Sequence, residues 1–266
     1  MSACCQYETD LTDEPWEVLH PLLPVRQWHP GGPGRPPCDR RRVINGLLYV
    51  NKTGCQWRML PKDFGPWETV YGYCRRWRRA GVWERVMTEL RQIERRCQGR
   101  LAEPSAGAID RQSVKTATQS QAVGFDRHKK ITGRKRHLLV DTLGLIVAVV
   151  VTAAHVDDRE GLRALWHSSF ADGVTRLRKL WVDGGYRAEW LCAWVWSLKR
   201  THKIDLEVVE HTGTGFRVVP HRWVVERTCA WLLNDRRHRC DYETLTATSE
   251  AMIQISMIHL LLKRLA

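Results

Sequence analysis

A chain of 266 residues is long enough for one large domain or two modest ones, and 43% hydrophobic residues give it a substantial core to bury. A formal net charge of +13 and a pI near 9.6 favour an anionic partner, nucleic acid above all. The N-terminal MSACCQYETDLTDE lacks the apolar stretch of a signal peptide. The apolar run at 143–154 is too short to span a bilayer, and nine scattered cysteines without a C-x-x-C pair argue for reduced thiols and against structural zinc. The expectation is a cytoplasmic protein that faces DNA or RNA and no membrane.

Residues 1 to about 100 carry helical periodicity with dense Arg and Trp. Leu11 and Trp16 flank Thr12 in hydrophobic-staple spacing, and Trp16, Leu19, Leu22 and Leu23 continue at helical intervals. HPGGPGRPP, residues 29–37, reads as loop. Asp39 is placed to cap a second helix whose apolar face is Val43, Ile44, Leu47 and Leu48, with Gly54 as its stop. A third helix is expected from near Pro66. Its stripe is Trp67, Val70, Tyr71, Cys74 and Trp77, with Arg75, Arg76, Arg78 and Arg79 off the stripe and Gly81 at its end. A fourth helix should run from about Val82 to Cys97.

Beyond residue 100 the period changes. SAGAID (105–110), RHLLVD (136–141) and LIVAVVVTAA (145–154) read as strands, the last two joined by a DTLG turn. A helix at 159–170, a strand at 177–183, a helix from about Arg187 to Arg200 and a fifth strand at 203–210 follow. The segments 220–234 and 247–264 read as helices. Three consecutive strands and then alternation predict a mixed five-stranded α/β sheet.

Asp110 and Asp183 each close a predicted apolar strand, where open α/β sheets present functional groups. Either alone is as readily a turn former or a helix cap. Together with Glu226, set in the apolar run RWVVERTCAWL, they can form an oxygen-ligand cluster for divalent cations. Two such ions, roughly 3.5–4 Å apart, would stabilise the attacking and leaving oxygens of an in-line displacement at phosphorus. Asp141 reads as turn structure, Asp157 and Asp158 as caps of the following helix, and Glu189 and Glu243 as solvated surface groups.

The segments AIDRQSVK, GFDRHKKITGRKRHLLVDTLGL, WVDGGYRAEW and HRWVVERTCAWLLNDRRHRCDYE occur in an order that resembles the DDE transposases of bacterial insertion sequences, of the insertion-sequence-five type. The stretch from LTDEPWEVLHPLLP to GVWERV resembles their N-terminal region, so the likeness covers nearly the whole chain. It implies a ribonuclease H-like catalytic domain at 101–266 behind an all-α, helix-turn-helix-like DNA-binding domain at 1–100. It also implies dependence on two Mg²⁺ ions (Mn²⁺ as a substitute) and cut-and-paste transposition. Asp110, Asp183 and Glu226 match the family's catalytic, metal-holding triad. Of its tyrosine–arginine–glutamate–lysine signature only Arg222 and Glu226 are present; the tyrosine position holds Val219 and the lysine position Leu233. Arg236 or Arg237 are the nearest stand-ins for that lysine. The implied partners are terminal inverted repeats and target DNA, bound by a homodimer or larger synaptic assembly.

The basic segments fit that reading. KKITGRKRH (129–137) offers Lys129, Lys130, Arg134, Lys135 and Arg136 to phosphates, or forms a solvated charged hairpin. The 66–80 helix, with Arg75, Arg76, Arg78 and Arg79, is the expected reader, and the link before it suits a three-helix variant. Arg35, within Gly34-Arg35-Pro36, has the form of a minor-groove arm, though the same residues make an ordinary linker. Arg222, one turn before Glu226, would balance its charge and touch DNA. Two alternatives stand beside the transposase: a non-catalytic DNA-binding regulator descended from one, and a site-specific nuclease without strand transfer.

Overall fold

The computed structural model describes residues 6–25, 29, 36–170, 176–183, 200, 203–209 and 223–266. Four helices come first: α1 (Asp13–Leu19), α2 (Arg40–Thr53), α3 (Trp67–Arg79) and α4 (Val82–Cys97). Local signals set their ends. Asp39 accepts from the Arg41 amide at 2.9 Å, and Gly54 takes the left-handed conformation (φ 69°) that closes a helix without a Cβ clash. Thr12 is the N-cap residue of α1, but its hydroxyl makes no cap bond there.

The sheet has six strands: β1 (Ala106–Lys115), β2 (Gly124–Asp126), β3 (Ile131–Asp141), β4 (Ile146–Ala153), β5 (Lys179–Asp183) and β6 (Asp205–Val209). The order runs β3-β1-β5-β6, with β4 and the short β2 both pairing with the outer edge of β3. β3 is antiparallel to β1, β2 and β4, whereas β1, β5 and β6 are mutually parallel. The sixth strand, β2, is three residues long, too short to carry a period. β1 and β3 also extend past their expected limits, because their polar halves pair with each other, Gln112 with Arg136 and Val114 with Arg134. Asp110 therefore lies in the middle of β1 and not at its end, while Asp183 does close β5.

The helix α5 (Asp158–Phe170) packs on one sheet face, burying Ile109, Leu139, Leu162, Leu165, Leu180 and Val182 together. The helices α6 (Trp223–Leu233) and α7 (Thr246–Leu265) belong to the other face. α7 is buried nearly all round, from Ala251 to Leu262, as expected of a helix that is apolar on every side. It touches β4 and α6 as well as α1, α2, α3 and α4. The hydrophobic core thus crosses residue 100: Leu19, Leu47 and Leu90 share it with Val140, Ile146 and Ile258. The expected helix at 187–200 lies outside the described residues, apart from Arg200.

Candidate active site and basic surfaces

Side chains alternate between faces along a strand, which fixes where the aspartates point. On β1, Ile109 belongs to the α5-side core and Ala108 to the α6–α7 side, so Asp110 follows Ala108. On β5, Val182 faces α5 and Trp181 packs on the opposite core, so Asp183 shares the face of Asp110. The two strands are parallel, with Ala106 opposite Lys179 and Ala108 opposite Trp181. The paired stretch ends there, two residues before Asp110 on β1 and two before Asp183 on β5.

Glu226 is an exposed residue of α6, which packs on β1 and β3. Val224, Val225, Thr228 and Leu232 form the buried side of the helix. The turn between β3 and β4 anchors it: the Thr228 hydroxyl donates to the Gly144 carbonyl at 2.6 Å, and Arg227 donates to the Leu143 carbonyl at 2.9 Å. Gly144 has φ 79°, and a Cβ there would meet the Thr228 hydroxyl at 3.0 Å and the Trp231 ring at 3.1 Å. Cys229, one turn after Glu226, reports the neighbourhood. Burial pushes its thiol up to about 12, and the Asp110 charge, then that of Glu226, push the same way. Both carboxylates thus act on one half-buried thiol. Among the described residues no group of three or more His, Cys, Asp or Glu side chains is gathered closely enough to hold a metal ion.

The other acids divide differently from expectation. Asp141 is the turn residue expected: wholly buried, it accepts from the Leu143 and Leu145 amides at 2.9 Å and pairs with Arg95. Asp157 caps α5 through the Arg159 amide at 2.9 Å, and the Arg159 guanidinium holds its carboxyl down at about 2. Asp158 pairs with Arg111 and Lys135. Glu243, expected at the surface, is buried and bound to Arg237 at 2.6 Å. Arg237, which also donates to the Cys55 carbonyl at 3.0 Å, is thereby committed to the fold, whereas Arg236 is exposed. Glu189, Val219, Arg35 and Arg222 lie outside the described residues.

The run 129–137 is not one surface. Arg134 is wholly buried: it donates to the Glu243 and Thr244 carbonyls at 2.8 and 2.7 Å and pairs with Asp241 at 3.2 Å. Lys135 is buried on the Val156 carbonyl and Asp158, and Arg136 on the His238 carbonyl at 2.8 Å. Cationic strand residues are buried here because each meets a carbonyl or carboxylate from a distant segment. Lys129 and Lys130, at the hairpin tip, are exposed, and the phosphate-binding expectation narrows to them. On α3, Arg75, Arg76 and Arg79 are exposed and Arg78 half-buried. Arg76 stacks on Tyr73, its guanidinium carbon 4.3 Å from the ring centre.

An antiparallel β4-β3-β1 meander joined by β1 to parallel β5 and β6, with helices on both faces, is the ribonuclease H-like arrangement expected of DDE enzymes. Residues 101–261 match the family model described as "Transposase DDE domain", and residues 11–87 match one described as "Putative transposase of IS4/5 family". The chain belongs to the DDE transposase family. It is similar to an uncharacterised 16.2 kDa protein of insertion element IS402 from Burkholderia cepacia, with 34% identity over 117 residues, 43% of this chain and 78% of that protein. No solved structure matches the chain. No helix among the described residues is long and apolar enough to cross a membrane.

Proposed function

We propose that this transposase binds the terminal inverted repeats of an insertion sequence, cleaves their phosphodiester bonds with Mg²⁺, and joins the freed ends to target DNA. The observation that supports the reading is that Asp110 and Asp183 stand on one face of neighbouring parallel strands, with the helix that bears Glu226 packed on β1 and β3. The donor chemistry suits a hard divalent cation: all three are carboxylates, and two of them stand on neighbouring strands of one sheet. Bound there, the ions would activate the attacking oxygen and stabilise the leaving one.

The chain's own contribution is positional. β1 and β5, paired just before Asp110 and Asp183, would position two of the carboxylates, and the Thr228–Gly144 and Arg227–Leu143 bonds would steady α6, which carries the third. Cys229 stays protonated and adds no charge of its own to the site. Drawn together without a cation, the three carboxylates would repel both one another and the DNA backbone. Lys129, Lys130 and the α3 arginines would hold phosphates on either side, with the helices before residue 100 as the end-binding part and the sheet after it as the cutting part. At least two copies would meet in synapsis.

The test uses purified protein, labelled element ends and Mg²⁺. The parent should cleave and then join ends to a target, and Asp110→Ala should retain end binding while losing at least 100-fold in cleavage. Equal cleavage by Asp110→Ala would refute the site. Cleavage without joined products would reduce the protein to a nuclease.

A further inference from the structure

Gln112 follows Asp110 by two positions on β1, so it stands on the same face of the sheet, about 7 Å further along at 3.3 Å per residue. It is half-buried, and its partner in the β1–β3 register is Arg136. Arg136 is buried, and one of its guanidinium nitrogens, Nη1, donates both to the His238 carbonyl at 2.8 Å and to the Gln112 Oε1 at 3.4 Å. Its Nε is buried without a hydrogen-bond partner, and no carboxylate among the described residues forms an ion pair with it. The half-buried Cys229 thiol feels the charges of Asp110, Arg136 and Glu226 together, which sets this guanidinium beside the same part of the sheet as the two carboxylates. A cation facing one end of an amide decides which end that is. Arg136 has only donors, so it holds the Gln112 carbonyl oxygen. The Nε2 end is left with two N–H groups, and no hydrogen bond among the described residues takes either of them.

We infer that Gln112 donates a hydrogen bond to a non-bridging oxygen of the scissile phosphate, and that Arg136 is the positioning residue that turns its amide to do so. The inference rests on the proposed function and adds an uncharged residue to the three carboxylates. Three observations support it. A free donor on the face of Asp110, one strand repeat away, stands where a phosphate drawn to that carboxylate would lie. An amide carries no charge, so it can hold a phosphate oxygen without repelling a cation bound to the carboxylates, as a lysine there would. A buried guanidinium without an ion pair costs stability, so packing alone does not account for Arg136. An amide that must present its N–H end does. The charge on its oxygen also polarises that amide, which strengthens the bond its N–H groups can donate.

The experiment uses the full chain and element ends that carry a methylphosphonate at the cleavage position, prepared as two separate diastereomers. In each, a methyl group replaces one non-bridging oxygen, so both lose the same charge and differ only in which oxygen remains. Binding is measured in EDTA, so that no metal ion contributes and no strand is cut; the neutral phosphonate also escapes repulsion by the carboxylates. The parent should bind one diastereomer about tenfold tighter than the other, the effect of one hydrogen bond. Gln112→Ala should bring the two within about twofold. Gln112→Glu keeps the shape and the contact with Arg136 but exchanges the donor for an acceptor. It should abolish the preference while melting no lower than the parent, which separates loss of the donor from loss of the fold. Arg136→Lys keeps the buried charge but draws it back from the Gln112 oxygen, and it should narrow the preference as well. No preference in a parent that still cuts unmodified ends in Mg²⁺, or the same preference in Gln112→Ala, would overturn the inference and leave the proposed function standing. A parent that neither binds nor cuts unmodified ends would overturn the proposed function, and the inference with it.

Discussion

Replacing Arg134 by Met separates two roles that a basic sequence run leaves indistinguishable. If Arg134 is a structural hub, the substitution removes a wholly buried cation and leaves Asp241 buried without its partner. The Gln121, Glu243 and Thr244 carbonyls lose their donor as well. Breaking one member of a buried pair costs about 3–5 kcal/mol. Ser249 still donates to Asp241, at 2.7 Å, which holds the loss towards the lower end. At about 2–4 °C per kcal/mol for a chain of this size, the melting temperature should fall by about 6–20 °C. The paired substitution Lys129→Gln with Lys130→Gln should do the opposite, since both residues are exposed: little change in melting, and a salt dependence of DNA binding shallower by about two units in log–log slope. Calorimetry and anisotropy titrations from low to moderate salt measure both. An Arg134→Met protein that melts with the parent but binds DNA with a shallower slope would refute the assignment.

Four further outcomes follow from the geometry. Cys229, held near 12 by burial beside Asp110 and Glu226, should alkylate roughly 1,000-fold more slowly than exposed Cys97 at pH 8, since the thiolate reacts; comparable rates by mass spectrometry would contradict the buried placement. Gly133→Ala would set a Cβ 1.9 Å from the Val114 carbonyl oxygen and should cost about 1–3 kcal/mol or more in urea unfolding, against nothing if β1 and β3 do not pair there. Burial depresses His137 and His259 to about 4 and His238 well below its usual value, so the unfolded chain binds more protons than the native one between pH 6.5 and 4; stability should fall as pH drops through that window. Glu250, raised to about 7 by burial, works in the opposite sense between pH 7 and 4.5 and offsets about one histidine, and a flat unfolding curve from pH 7 to 5 would contradict this account. Residues 101–266 expressed alone should lose near-ultraviolet circular dichroism, because α1, α2 and α4 cover part of α7.

What the sequence made legible is whatever rests on neighbours in the chain. The cap at Asp39, the stop at Gly54 and the start of α4 at Val82 are local decisions, and the structure follows them. Asp141 is read correctly for the same reason, since the amides it accepts from are two and four residues away. Arg134 is misread because its partners are not local, and Glu243 because the turn that sets it against Arg237, six residues earlier, is buried by distant segments. Arg134 meets Glu243, 109 residues on, and a charge with no visible partner is rightly expected in water. The middle position of Asp110 within β1 is hidden likewise, because the polar half of that strand becomes a strand only through pairing with β3. The site is legible in parts. Two aspartates on apolar strands can be picked from the pattern, but their register comes from the β1–β5 pairing. Glu226 was singled out by family likeness, and nothing in its own surroundings distinguishes it from a surface acid.

Under the proposed function, the placement of α7 would couple binding to cutting. A helix buried on every side must have partners on every side, and here they come from both halves of the sequence. Asn51 of α2 donates to the Met252 carbonyl at 2.9 Å and to the Ser256 hydroxyl at 3.0 Å. That hydroxyl in turn donates to Asp235 at 2.6 Å, just beyond the helix that carries Glu226. All of these side chains are buried, so each bond lost leaves an unsatisfied group costing about 1–3 kcal/mol. The first four helices are therefore tied through buried hydrogen bonds to α7 and to the segment after α6. Capture of a DNA end by the N-terminal helices would then fix that end's position relative to Asp110 and Asp183 through packing alone, without a separate closing motion.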